Sequence, residues 1–119
     1  MKLAEVLTER VERWRREGTL EDVLGRQLFV HRQSGSEEPL LLFLHGFPSS
    51  SYDWRELLEL RQGEEATLAF DFLGFGLSEK PRDHHYTLAW QADAAEELVR
   101  RAGSPPVFVV AHDMGTSVA

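Results

Sequence analysis

The segment Ala111-His112-Asp113-Met114-Gly115 closes the apolar run Val107-Phe108-Val109-Val110. A strand that breaks onto a small-x-Asp-x-Gly turn, with a helix to follow, has the context of a nucleophile elbow. The residues two before and two after the apex must be small because the turn is sharp, and here they are Ala111 and Gly115. A carboxylate at the apex can attack an electrophilic carbon directly and form an ester on the protein. Asp113 is therefore the candidate nucleophile. In such a turn one oxyanion donor is the backbone N–H after the nucleophile, and the second comes from the loop after an earlier strand. His45-Gly46-Phe47-Pro48 follows the apolar run 40–44, which makes Met114 and Phe47 the candidate donors. Gly46 lets the backbone approach closely, and Pro48 stiffens the turn without removing the Phe47 donor.

Ser117 is a competing apex, since Gly115-Thr116-Ser117-Val118-Ala119 also reads small-x-Ser-x-small. It requires Asp113 and Gly115 to continue a buried strand, for which both are poor residues. A turn with no catalytic role is the third reading. His45 reads as a ring that ties the backbone at a strand end, because elbow logic places the catalytic base elsewhere. His112 directly precedes Asp113, so its side chain should point away from the nucleophile. His84 and His85 are adjacent and diverge, with no Cys or carboxylate cluster beside them to complete a metal site. The segment Asp71-Phe72-Leu73-Gly74-Phe75-Gly76-Leu77-Ser78-Glu79-Lys80-Pro81 lacks the third glycine, the helix and the ribose-binding acid of a dinucleotide fingerprint. It reads as a shaped loop bordering the site, with Asp71 and Ser78 fixing backbone groups. Neither a cofactor nor a metal is implied.

The elements that must position these residues follow from hydrophobic periodicity. Leu3, Val6, Leu7, Val11 and Trp14 recur at helical spacing ahead of Gly18, so residues 1–18 are expected to form an amphipathic helix. Residues 19–23 and 26–32 read as two short strands around Leu24-Gly25, an opening hairpin. Apolar runs at 40–44, 66–70 and 106–111 lack alternation, as expected of parallel strands covered on both faces. Between them, 52–60 and 88–102 read as helices, the second with Leu88, Ala92, Ala95, Val99 and Ala102 as its apolar face. Gly103 and Pro105-Pro106 stop it. This alternation predicts an α/β fold, a mostly parallel doubly wound sheet with ligands near the carboxyl ends of its strands. The loop 74–86 is the one long irregular piece.

Composition narrows the partners. The chain has 119 residues, is 42% hydrophobic and carries a formal net charge of −7. That charge opposes nucleic acid and anionic membrane as partners, since both demand a basic face. There is no Cys, which excludes disulfides and thiolate chemistry and fits a reducing, cytoplasmic setting. No run approaches the length of a membrane span, and the first residues lack a signal-peptide core. The expected partner is a small-molecule substrate.

Taken together, His45-Gly46-Phe47-Pro48, the 71–81 segment and Ala111-His112-Asp113-Met114-Gly115 resemble the α/β-hydrolase superfamily over residues 25–119. Ser49-Ser50-Ser51-Tyr52-Asp53-Trp54, the same 71–81 segment and His84-His85-Tyr86 are most similar to the group of the mesoderm-specific transcript protein and its bacterial relatives. The elbow Asp is similar to that of epoxide hydrolases and haloalkane dehalogenases. The resemblance implies an eight-stranded sheet, a helical lid and a distal acid and His, all later in a longer chain. Residues 19–119 would then be the N-terminal part of a hydrolase domain, truncated after the elbow and inactive alone. With a sheet edge left open, it would also be prone to self-association. Around Asp113, Phe47 and Met114, the resemblance adds His45, Gly46, Pro48, Trp54 and Gly115 as residues that shape the site. Dehalogenases of this group usually have Trp after the nucleophile and Asn or Trp after His-Gly. Met114 and Phe47 stand there, so an epoxide hydrolase-like activity is expected ahead of a dehalogenase-like one or a non-catalytic hydrolase-fold protein.

Overall fold

The structure, a computed structural model, describes residues 8–119. Leu3, Val6 and Leu7 of the expected N-terminal helix lie outside the described residues. Its second half forms α1, Glu9–Glu17, which begins where the Thr8 hydroxyl accepts the Val11 N–H. That is the usual N-cap use of a Thr, satisfying a donor the helix cannot. The hairpin follows, with β1 at Thr19–Val23 and β2 at Arg26–Gln33, antiparallel in a register that pairs Val23 with Arg26. Leu24 and Gly25 both take positive φ, as a two-residue hairpin turn of matching twist requires.

Beyond the hairpin come β3 (Glu37–Leu44), a 3-10 turn (Ser51–Trp54) running into α2 (Arg55–Leu60), β4 (Glu65–Phe70), α3 (Leu88–Arg101), β5 (Val107–Ala111) and α4 (Met114–Val118). The five strands form one mixed sheet in the order β1-β2-β4-β3-β5. β4, β3 and β5 run parallel, while β2 meets β4 antiparallel. The parallel part is the alternating βα portion, and the antiparallel part is the hairpin, whose two-residue turn permits no other direction. Among the described residues no helix is long and apolar enough to cross a membrane.

Both faces are covered at β3 and β4, which is why these strands are apolar without alternation, whereas the 106–111 run, expected to be covered likewise, forms the edge strand β5 with Phe108 and Val109 exposed on opposite faces. Leu42, Leu44, Leu68 and Phe70 face α3 and α4 through Ala94, Ala95, Leu98 and Val118. Their neighbours Phe43 and Ala69 face the other way, with Phe29, onto Trp14 of α1 and Leu58 of α2. The buried stripe of α3 is Gln91, Ala94, Ala95 and Leu98, not the Leu88-led face that apolar spacing suggests; Leu88 is 44% exposed. The rotation has a polar cause. The Gln91 amide accepts from the Leu73 N–H at 3.0 Å and donates to the Leu73 carbonyl at 3.1 Å, pairing backbone that would otherwise be buried unsatisfied.

Candidate active site

Strand register brings the two candidate loops together. Leu44 is the partner of Ala111 across β3 and β5, and the His112 N–H continues the ladder to the Leu44 carbonyl at 3.2 Å. The chain then leaves both strands at one level, with Gly46-Phe47 beside Asp113. Asp113 adopts φ 54° and ψ −118°, away from the left-handed helical well that tolerates non-glycine residues. Backbone strain of this kind costs on the order of 1–3 kcal/mol and persists where surrounding structure enforces it. Here β5 enforces it from one side. From the other, α4 begins at once, with Thr116 N–H bonded to the Asp113 carbonyl.

Two glycines make room for the turn. A Cβ on Gly46 would stand 2.8 Å from Asp113 Cβ and 2.9 Å from His112 Nδ1, and one on Gly115 would stand 2.2 Å from the Leu44 carbonyl oxygen. Neither position accepts a side chain without displacing backbone. The Phe47 N–H donates to Asp113 Oδ1 at 3.0 Å. That bond and then a backbone bond from Met114 hold the Asp113 carboxyl below its ordinary value against the opposing effect of burial, with a smaller attraction from His112. The carboxylate is ionised at neutral pH, with Oδ1 held by the Phe47 N–H. Asp113 and Phe47 are both exposed, Phe47 by 66%.

The remaining candidates divide between contact and support. His45 is buried, its Nε2 accepts the Phe72 N–H at 3.0 Å, and its Nδ1 lies 2.8 Å from the Gly46 carbonyl. Because an N–H can only donate, Nε2 is the unprotonated nitrogen and Nδ1–H donates to Gly46. Burial pushes the ring below its ordinary value, and both nitrogens are occupied. His45 thus fastens the Gly46-Phe47 loop to the loop after β4. Pro48 follows Phe47 through a cis peptide bond and leaves the Phe47 donor in place. Trp54 lies elsewhere: it packs against Phe43, ring centroids 5.4 Å apart, beside the cluster under α1 and α2. Ser117 lies inside α4, not at a turn apex.

The loop after β4 is organised by Asp71. This buried carboxylate accepts from the Ser51 N–H at 2.8 Å, the Ser51 hydroxyl and the Leu77 N–H at 2.8 Å, while the Ser78 hydroxyl bridges the Asp71 carbonyl and the Phe29 N–H. The ties expected of Asp71 and Ser78 are therefore present, and Ser51 is an added partner that one Ser among three did not reveal. Phe75, from the same loop, meets Phe47 edge-on at 5.9 Å and His45 at 5.6 Å. His84 packs edge-on against Tyr86 and Trp90. Among the described residues no group of three His, Cys, Asp or Glu side chains could hold a metal ion.

A mixed sheet wound on both faces, with a strained Asp between β5 and α4, defines an α/β hydrolase-type architecture. The sequence profile of the family described as alpha/beta hydrolase fold matches residues 39–119, and the chain belongs to that family. It is 44% identical over 108 residues to the putative hydrolase LipZ of Mycobacterium tuberculosis, covering 91% of this chain and 37% of that protein. It is 37% identical over 118 residues to the mesoderm-specific transcript homolog protein of Bos taurus, covering 95% and 35%. Among solved structures, the epoxide hydrolase VrEH1 from Vigna radiata superposes with a TM-score of 0.74 at 35% identity, over 86% of this chain and 33% of that one. A loop variant of the haloalkane dehalogenase DbeA from Bradyrhizobium elkanii gives 0.74 at 36% identity, over 85% and 33%. The chain thus spans about a third of the length of the relatives it matches.

Proposed function

We propose that the full-length protein is a hydrolase that works through an ester on Asp113, with small epoxides as its substrate class. The observation that carries this reading is the asymmetry of the Asp113 carboxylate: Oδ1 receives the Phe47 N–H, and the group is exposed. Oδ2 attacks an epoxide carbon, the ring C–O bond breaks, and the alkoxide takes a proton from an acid in the remainder of the protein. Water, deprotonated by a base also outside these 119 residues, then attacks Asp113 Cγ. The oxyanion develops on Oδ1, where the Phe47 N–H already donates and the Met114 N–H serves as the second donor, and collapses to release a diol and restore the carboxylate. Oxyanion donors of this kind contribute about 3 kcal/mol each.

Haloalkane dehalogenation is the second reading, favoured by the likeness to DbeA. Its first step expels a halide that needs donors of its own, and the Phe47 and Met114 side chains offer none. The deciding experiment incubates full-length protein in substoichiometric epoxide, quenches it within one turnover and maps peptides by mass. An alkyl adduct on Asp113 is expected. Full activity with no adduct there would overturn the nucleophile, and halide release faster than diol formation would reverse the substrate ranking.

A further inference from the structure

We propose that the cavity between α1 and α2 is a second binding site, built for a small molecule carrying a phosphate group. The cavity measures about 550 Å³, within the usual range of small-molecule sites. It lies over the sheet face opposite α3 and α4, and no residue of the elbow or of the His45-Pro48 loop lines it.

Its charge is the reverse of the chain's. On a protein of net charge −7, the walls bring together Arg10, Arg13, Arg32 and Arg55 against two acids, Glu17 and Glu59, a local surplus of two positive charges. A basic concavity on an acidic surface concentrates anions locally. Three of these guanidinium groups retain donor capacity. Arg32 is committed to Glu21 through two bonds of 3.0 and 2.9 Å. Arg13 reaches only the exposed Glu9, at 3.9 Å, and Arg10 has no carboxylate partner among the described residues. Arg55 is already set in place: Nη1 donates to the Tyr52 carbonyl at 3.1 Å, the guanidinium carbon stands 4.1 Å from the centre of the Tyr52 ring, and Nη2 comes no closer than 3.9 Å to Glu56.

The floor is aromatic and contains an unmet polar atom. Trp14 stacks on His31 at 4.2 Å with planes 4° apart, and its edge meets Tyr52. His31 lines the cavity and is 2% exposed; Nε2 stands 3.5 Å from Glu17, while Nδ1 is buried with no partner. Buried polar atoms are nearly always paired; with Nε2–H directed at Glu17, Nδ1 is an acceptor, which the protonated oxygen of a phosphate monoanion would satisfy. Donors supplied by separate arginines on two helices suit a tetrahedral group with three terminal oxygens better than a flat carboxylate.

The test uses full-length protein, with phenyl phosphate and inorganic phosphate as probes, and follows the Trp14 indole resonance by NMR, assigned through Trp14→Phe. Sodium chloride at matched ionic strength is the control. Saturable shifts are expected with both phosphates and not with chloride. They should persist in Asp113→Asn and weaken at least about tenfold in Arg13→Gln and Arg55→Gln, since a charge-assisted bond is lost in each. Arg13 is exposed, so its replacement leaves the fold intact even if Arg55→Gln, which also loses its Tyr52 contacts, does not fold. A shift that chloride reproduces, one abolished by Asp113→Asn, or equal affinity in the Arg13 variant would overturn the proposal. None of these readouts depends on hydrolysis, so they stand apart from the fate of Asp113 as a nucleophile.

Discussion

Asp71 and Asp113 follow the two strands that flank β3, and both sit at the carboxyl end of the parallel sheet. Asp71 is 1% exposed and has both oxygens engaged, Oδ1 by Ser51 and Oδ2 by Leu77. Asp113 is exposed and has Oδ1 bound to Phe47. A buried carboxylate with both oxygens engaged by the surrounding loop is an anchor. An exposed one on a strained apex, with Phe47 donating to Oδ1, is the one the proposed ester chemistry uses. Location at the strand ends does not separate the two; the count and origin of their hydrogen bonds does.

Exchanging the charge of each residue for an amide breaks the comparison most directly. In the full-length protein, Asp113→Asn is expected to lower diol formation by on the order of 10⁴-fold or more, since the amide cannot act as nucleophile. Its urea midpoint should move little, as for other exposed substitutions. Comparable turnover in the variant would place the chemistry elsewhere. Gly46→Ala comes next. The added Cβ falls 2.8 Å from Asp113 Cβ, so the Phe47 donor must shift, and kcat should fall by about 100-fold, the cost of a misplacement near 1 Å. An unchanged kcat would mean the loop gives way freely.

Asp71→Asn should show the opposite profile. One acceptor oxygen becomes a donor facing backbone or hydroxyl donors, and a loss of about 2 kcal/mol is expected in urea unfolding. The smallest effect is a titration. Hydrogen bonds from Phe47 and Met114 hold the Asp113 pKa below 3.8 in the folded protein. Stability from these bonds is therefore present above the unfolded pKa and is lost as pH falls through the folded one. The ¹³Cγ shift of Asp113 should titrate below 3.8, and a midpoint at or above that value would contradict the donor geometry.

Strands and helices were legible because their residues are strongly patterned: the apolar runs ending at Leu44, Phe70 and Ala111 are three parallel strands, and Leu24-Gly25 is the hairpin turn. The turn after β5 was legible because Ala111, Asp113 and Gly115 are what a tight turn can hold. Less visible were features that depend on partners distant in sequence. Gln91 is polar within the buried face of α3, because its amide completes Leu73 from 18 residues away. His31 looks like one more alternating strand residue, yet Trp14 closes over it. Trp54 sits near the His45-Pro48 loop in sequence but packs against Phe43, because the 3-10 turn anchored by Asp71 points it under α2. The exposure of Phe108, 60%, is not visible in the apolar run 106–111, which reads as a strand covered on both faces.

The bond between the Phe47 N–H and Asp113 joins residues 66 positions apart. A ribosome adding roughly 5–20 residues per second delivers the second of them about 3–13 s after the first. Through that interval the nascent chain carries one half of an anion receptor with nothing to bind. The geometry of the Phe47–Asp113 pair thus waits on β5, since it arises when β5 docks on β3.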